Sequence, residues 1–264
     1  MATPARAFWR FRGASSARTD GALAVLSLAA FVGVWQAAAT FDLTSDRFLP
    51  APGAVVAALW GMLTTTDFAT DIVVSIARVW AAFLLSVVMA LPLGLLMSSY
   101  RPIGGLLEPI VDFIRYLPVP ALVPLLLIWF GIGEGSKIAV LWMGTFFQLV
   151  LLVADDAKRV PWLYIEMGYT LGAKPWQIVR DIVVPAMAPS TLDNLRITLG
   201  WCWTYLIIAE IVAADSGIGH AIWSMRRFVK TPEVMAGILT IGIIGLLTDQ
   251  ALRLLHRRRF RYLS

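Results

Sequence analysis

Residues 72–98 read IVVSIARVWAAFLLSVVMALPLGLLMS, and Arg78 is the only charged side chain among them. As a helix rising 1.5 Å per residue this stretch is roughly 40 Å long. That exceeds the ~30 Å hydrocarbon core of a bilayer, so the reading is a tilted transmembrane span. Pro92 and Gly94 mark a kink within it. Five further apolar runs flank it, at 22–41, 106–130, 138–154, 192–214 and 233–255. The fold class that follows is all-α: a polytopic membrane protein of about six transmembrane helices, with residues 1–264 forming a single transmembrane domain. Composition agrees. Of 264 residues 59% are hydrophobic and 15% charged, where a soluble domain carries about 25% charged residues.

The run at 22–41 ends near Ala37-Ala38-Ala39, which resembles a signal-peptidase site, but its length suits a span better than a signal core. In 106–130, Pro109, Pro118, Pro120 and Pro124 predict a bent or broken helix. Backbone groups freed at that depth are tolerated only against protein or a water-filled cavity, so this segment is expected to face the interior. Thr231-Pro232-Glu233 is a helix start, with a cap, a proline and an acid in the first turn. Residues 221–229 form a short amphipathic piece.

Six spans put both ends of the chain on one side of the membrane. That side holds 14 basic residues, in the 1–20 tail, at Arg101, in 155–189, and around the 256–264 tail; the other holds 5, Arg47, Lys137, Arg226, Arg227 and Lys230. The bias places both termini in the cytoplasm. The formal net charge of +5 suits anionic lipid headgroups; no basic stretch with interleaved aromatics points to nucleic acid. Cys202 is the only cysteine, which excludes an intrachain disulfide, and His220 and His256 lack metal-ligand spacing.

Residues 155–189 form a cytoplasmic loop with internal order. Pro161 opens a helix, Gly172 breaks it, Pro175 opens a second and Pro185 ends that one. Trp176, Val179, Ile182 and Val183 share one face of the second helix. Such a pair packs either on its own spans or into a partner protein. Here the residues carry a resemblance. Glu166-Met-Gly-Tyr-Thr-Leu-Gly172, followed by Ile182-Val-Val184-Pro185, resembles the EAA motif of ABC importer permeases. Glu166, Gly172, Ile182 and Pro185 fall at the matching offsets, Met167 and Gly168 stand in for two alanines, and Val184 for a leucine. Leu49-Pro50-Ala51-Pro52, Ser75-Ile-Ala-Arg78-Val, Pro118-Val-Pro120-Ala-Leu-Val-Pro124, Trp129-Phe-Gly-Ile-Gly-Glu134 and Ala209-Glu210…Gly217-Ile-Gly219 look like the nitrate/sulfonate/taurine branch.

The resemblance implies a bacterial inner-membrane homodimer served by two cytoplasmic ATPase subunits and a periplasmic binding protein. The translocated solute would be a small anion such as nitrate, taurine or an alkanesulfonate. Glu166, Gly172, Ala173, Lys174, Pro175, Trp176, Ile182 and Pro185 would couple the spans to the ATPase. No cofactor is expected in this chain. It has no Gly-x-x-x-x-Gly-Lys-Ser/Thr loop, and Gly131–Lys137 is glycine-rich with the wrong spacing, so ATP and Mg belong to the partner. No catalytic constellation is present and the chain is read as no enzyme. The competing reading is a secondary transporter or channel for a small organic solute, working without ATP.

For the translocation path the candidates are Arg78, Pro120, Trp129, Gln148, Trp203 and Glu210, with Phe146, Phe147, Trp201 and Tyr205 as further aromatics. A charge inside a bilayer needs a partner or a cavity. Arg78 snorkels to the headgroups, pairs with Glu210, or attracts an anionic substrate. Glu108, Asp112 and Arg115, and separately Asp193 and Arg196, read as local ion pairs near the cytoplasmic surface. Arg226, Arg227 and Lys230 form either a basic rim or a solvated loop. Asp249 has no assignable partner.

Overall fold

The computed structural model describes residues 17–41, 45 and 47–261; Arg6, Arg10 and Arg12 lie outside them. In chain order the helices are α1 (Ala17–Thr40), α2 (Pro52–Thr65), α3 (Phe68–Ser99), α4 (Arg101–Arg115), α5 (Val119–Phe130), α6 (Glu134–Lys158), α7 (Trp162–Thr170), α8 (Pro175–Ile178), a π-helical turn (Val179–Val183), α9 (Val184–Ala213), α10 (Ile218–Arg227) and α11 (Thr231–Arg259). Among the described residues there is no strand. Five helices, or six if α4 and α5 count as one broken span, are long and apolar enough to cross a membrane.

The centre is α6, which packs along α3 on one side and α9 on another. Gly94 of α3 permits the closest approach: a Cβ there would come within 2.8 Å of the Val150 carbonyl and the Val153 side chain. About two turns earlier along α3, Ser86 shares a 2.8 Å hydrogen bond with Thr145 of α6. The apolar core has two parts. One, around Val79, Leu141, Leu206 and Ile218, lies toward the Glu134 end of α6. The other, around Leu149, Val150, Val153 and Ile178, lies toward the Lys158 end.

The proline-rich run at 106–130 is two helices meeting at 102°. The break falls at Tyr116–Pro118, because proline disfavours helical geometry in the residue before it. Gly131 at φ +74° closes α5, and glycine is the residue that takes this left-handed conformation without penalty. α11 starts at Thr231 with Pro232 in its first turn. The amphipathic piece expected at 221–229 is α10, which starts three residues earlier and stops at Arg227.

α1 stands apart. Leu26, Phe31 and Val34 remain exposed, although Trp35 Nε1 donates to the Pro50 carbonyl at 2.9 Å. A helix apolar all round and uncovered by its own chain is suited to lipid or to a second membrane subunit.

Candidate functional site

Three features stand out along the long axis of the bundle. At the Glu134 end of α6, Arg78 of α3 is buried and uses all five of its N–H donors. Nη1 donates to Glu210 Oε1 at 2.8 Å and to the Ser216 carbonyl at 2.7 Å. Nε and Nη2 form a fork on Glu134, each at 2.7 Å. Nη2 also reaches Ser216 Oγ at 3.1 Å. Glu210, fully buried in α9, accepts in addition from Ser75 Oγ at 2.7 Å and the Gly219 N–H at 2.8 Å. Lys137 Nζ completes the cluster with a 2.8 Å bond to Glu134. Of the three readings of Arg78, the pairing with Glu210 is what the structure holds, and snorkelling is excluded by the burial of the guanidinium. The network also ties down the turn before α10, where Gly217 (φ +111°) donates its N–H to Asp71 Oδ1 at 2.6 Å.

At the opposite end, beyond Lys158, α7 and α8 form an arm. Gly172 (φ +79°) ends α7. Its N–H donates to the Tyr169 carbonyl at 2.9 Å and the Ala173 N–H to the Gly168 carbonyl at 3.0 Å, the paired bonds of a Schellman turn. Lys174 then caps α8, its N–H donating to Gln177 Oε1 at 2.8 Å. Gly168, one of the two departures from the motif's alanines, is buried against α8 and the π turn: a Cβ there would meet Ile182 Cδ1 at 2.7 Å and Ile178 Cγ1 at 3.3 Å. Glu166, Lys174, Pro175 and Pro185 are exposed, and Ala173 and Ile182 half-buried. Leu171 (85% exposed), Trp162, Leu163, Met167 and Trp176 turn an apolar surface outward, more than an isolated chain normally shows to water.

Pro185 does not end the second loop helix, contrary to the sequence reading. α8, the π turn and α9 form one continuous helix from Pro175. The Val184 N–H donates to the Val179 carbonyl, five residues back, and this wide turn makes room for a ring that would clash in an α-helix. Gly172→Val is expected to lower stability by about 1–2 kcal/mol, the cost of a left-handed residue carrying a Cβ, measured by thermal unfolding in detergent. An unchanged melting temperature would mean the turn tolerates another conformation.

Between the two ends lies a cavity of about 290 Å³ bounded by α4, α5, α6 and α9. Arg115, Gln148, Trp201, Thr204 and Tyr205 are in its wall. Gln148 is ten residues from Lys158 and fourteen from Glu134, roughly 15 and 21 Å along α6, which sets the cavity well inside the membrane. Arg115 Nη2 pairs with Asp112 at 2.9 Å and Nη1 makes a long 3.4 Å contact to Gln148 Oε1. Its Nε is buried with no acceptor among the described residues. The expected local pair with Asp112 is therefore present; its arginine lines the cavity, because α4 packs along α6, while Asp112 is 43% exposed. Glu108 pairs instead with Lys158 at 3.0 Å.

The family of binding-protein-dependent transport system inner membrane components matches residues 82–261. The chain belongs to that family. This permease is 35% identical to the taurine transport system permease protein TauC of Escherichia coli over 89% of its own length and 88% of the relative's. It is 30% identical to the putative aliphatic sulfonates transport permease protein SsuC of Bacillus subtilis over 89% and 85%. Among solved structures, an inward-facing form of the MetNI methionine ABC transporter superposes with a TM-score of 0.60 at 19% identity, covering 81% of this chain and 98% of that one; this supports the shared fold.

The permease is thus the inner-membrane subunit of an ABC importer, and ATP hydrolysis lies in a separate subunit. The family works with an ATPase, a binding protein and a second permease subunit. A transporter or channel without ATP is set aside.

Of the path candidates, the structure brings only Gln148 into the cavity wall, together with Phe147, Trp201 and Tyr205; Pro120 is exposed on α5 next to the wall residue Val119. Arg78 and Glu210 are sealed in their ion network. Trp203 is 4% exposed and donates from Nε1 to Thr248 Oγ1 at 3.2 Å, in the core. Trp129 is 64% exposed on the far part of α5. Asp249 receives Arg196 at 2.9 Å. Arg115 is the cavity residue that sequence reasoning assigned to a surface pair; the proline cluster just after it was the signal that its helix ends inside the membrane.

Proposed function

We propose that the permease imports a small sulfonate anion of the taurine or alkanesulfonate kind by alternating access. Two copies form the path, two cytoplasmic ATPase subunits drive it, and a periplasmic binding protein delivers the solute. Residues 155–189 and both termini face the cytoplasm. The observation that carries this reading is the arm: an exposed apolar surface on α7 and α8, continuous through the π turn with α9, whose side chains wall the cavity. An ATPase closing on that surface would move α9 as one body. The names of the relatives support the substrate class, and the 14-to-5 basic bias supports the orientation.

The test is reconstitution of the permease with its ATPase and binding protein in liposomes, with taurine as the probe. Leu171→Glu, at a position 85% exposed, is expected to abolish co-purification of the ATPase and ATP-dependent taurine uptake while leaving the unfolding free energy within about 0.5 kcal/mol of the parent. Taurine uptake by the permease alone, or unaltered ATPase binding by Leu171→Glu, would overturn the coupling role of the arm.

A further inference from the structure

We infer that the cavity between α4, α5, α6 and α9 is a seat for the solute's anionic head group, with Arg115 as its counter-ion and Gln148 and Thr204 as its polar neighbours. The inference rests on the importer reading above and names the residues that make it selective. A cation held about 15 Å from the nearer end of a span is costly unless a cavity or partner receives it. Arg115 is only partly received. Nη2 is shared between Asp112, one turn back on its own helix and 43% exposed, and the Tyr116 hydroxyl at 3.1 Å, with the guanidinium 4.7 Å from the Tyr116 ring centre; Nη1 has only the long contact to Gln148, and the buried Nε–H has no acceptor among the described residues. A guanidinium whose Nη1 is held only by a 3.4 Å contact, beside a cavity, suits a compact anion with several oxygens, because such an anion accepts more than one N–H at once.

The rest of the wall fits the remainder of a small sulfonate. The Gln148 carbonyl oxygen faces Arg115, so its amide nitrogen is left to donate to the same anion, and the Thr204 hydroxyl already donates to the Gly200 carbonyl at 3.3 Å, a long bond that a better acceptor would displace. Trp201 and Tyr205 supply flat apolar surface for a short alkyl or aminoalkyl stem. Arg115 is the one charged residue in the wall, so the seat favours a monoanion over a dicarboxylate or a cation.

The experiment uses the full complex in liposomes with taurine, ethanesulfonate and ethanolamine as probes, alongside co-purification of the ATPase. Arg115→Gln is expected to lower taurine and ethanesulfonate uptake by about tenfold to a hundredfold, the range for losing hydrogen bonds to a charged group, while the ATPase still co-purifies with it. Arg115→Lys, which keeps the charge without the fork, should retain part of the uptake, and Gln148→Leu should raise the half-saturating concentration. Ethanolamine uptake should stay negligible in the parent. If Arg115→Gln folds and transports taurine like the parent, the seat is wrong and the importer reading stands. If Arg115→Gln does not fold, uptake by Gln148→Leu equal to the parent's refutes the seat. If the parent moves no sulfonate but moves another solute, the substrate class fails first.

Discussion

Arg78→Ala is expected to destabilise the permease by about 3–5 kcal/mol, the cost of leaving a buried charge without its partner. The residue left behind is Glu210, fully buried in α9 and holding Ser75 and the Gly219 N–H as its remaining donors. Neither supplies a positive charge. Arg78→Lys should recover little, because an ammonium cannot fork onto Glu134 while also reaching Glu210 and Ser216. Thermal unfolding of purified protein in detergent reads the effect. A double-mutant cycle then separates charge from packing. In the Arg78→Ala background, Glu210→Gln should cost far less than it does alone, with a coupling of about 0.5–3 kcal/mol. Strictly additive losses would mean that the two side chains are neighbours without being partners.

Gly144→Val ranks next in expected size. Gly144 of α6 faces the Tyr205 ring of α9 so closely that a Cβ would occupy the ring's position. Neither helix can retreat freely, since α6 is clamped between α3 and α9. Overpacking of this kind costs about 1–3 kcal/mol. The ring can yield only toward the cavity it already lines, so taurine uptake should fall together with the melting temperature. Adding Tyr205→Ala to Gly144→Val should restore much of the stability by vacating the space. A double variant no more stable than Gly144→Val would show that the strain sits in the helix backbone.

These two contacts also show what the sequence could and could not reveal. The spans were legible because bilayer thickness fixes the length of an apolar helix, so runs such as 72–98 announce themselves. The arm was legible at Gly172, where a Schellman turn demands a left-handed residue. Contacts between distant spans were not. Arg78 and Glu210 are 132 positions apart, and nothing local distinguishes their pairing from snorkelling. Pro185 misled for a specific reason: a proline ends an α-helix only if the preceding turn is α-helical, and a π turn removes the clash. The seat of Arg115 beside the cavity stayed hidden because spacing on one helix carries no information about which neighbours that helix packs along.

The continuity of the helix from Pro175 to Ala213 has a mechanical consequence. Its 39 residues make a rod roughly 58 Å long, with Trp176 near one tip, Trp201 and Thr204 partway along, and Glu210 near the other tip. Signalling between the extremities needs no relay of side-chain rearrangements, because leverage does the work: a swing of about ten degrees pivoting near one tip carries the other by roughly 10 Å over a rod of that length. The π turn and Pro189 inside α9 are joints where that stiffness can be adjusted, so drift in lipid-facing side chains elsewhere along the rod leaves the gearing intact.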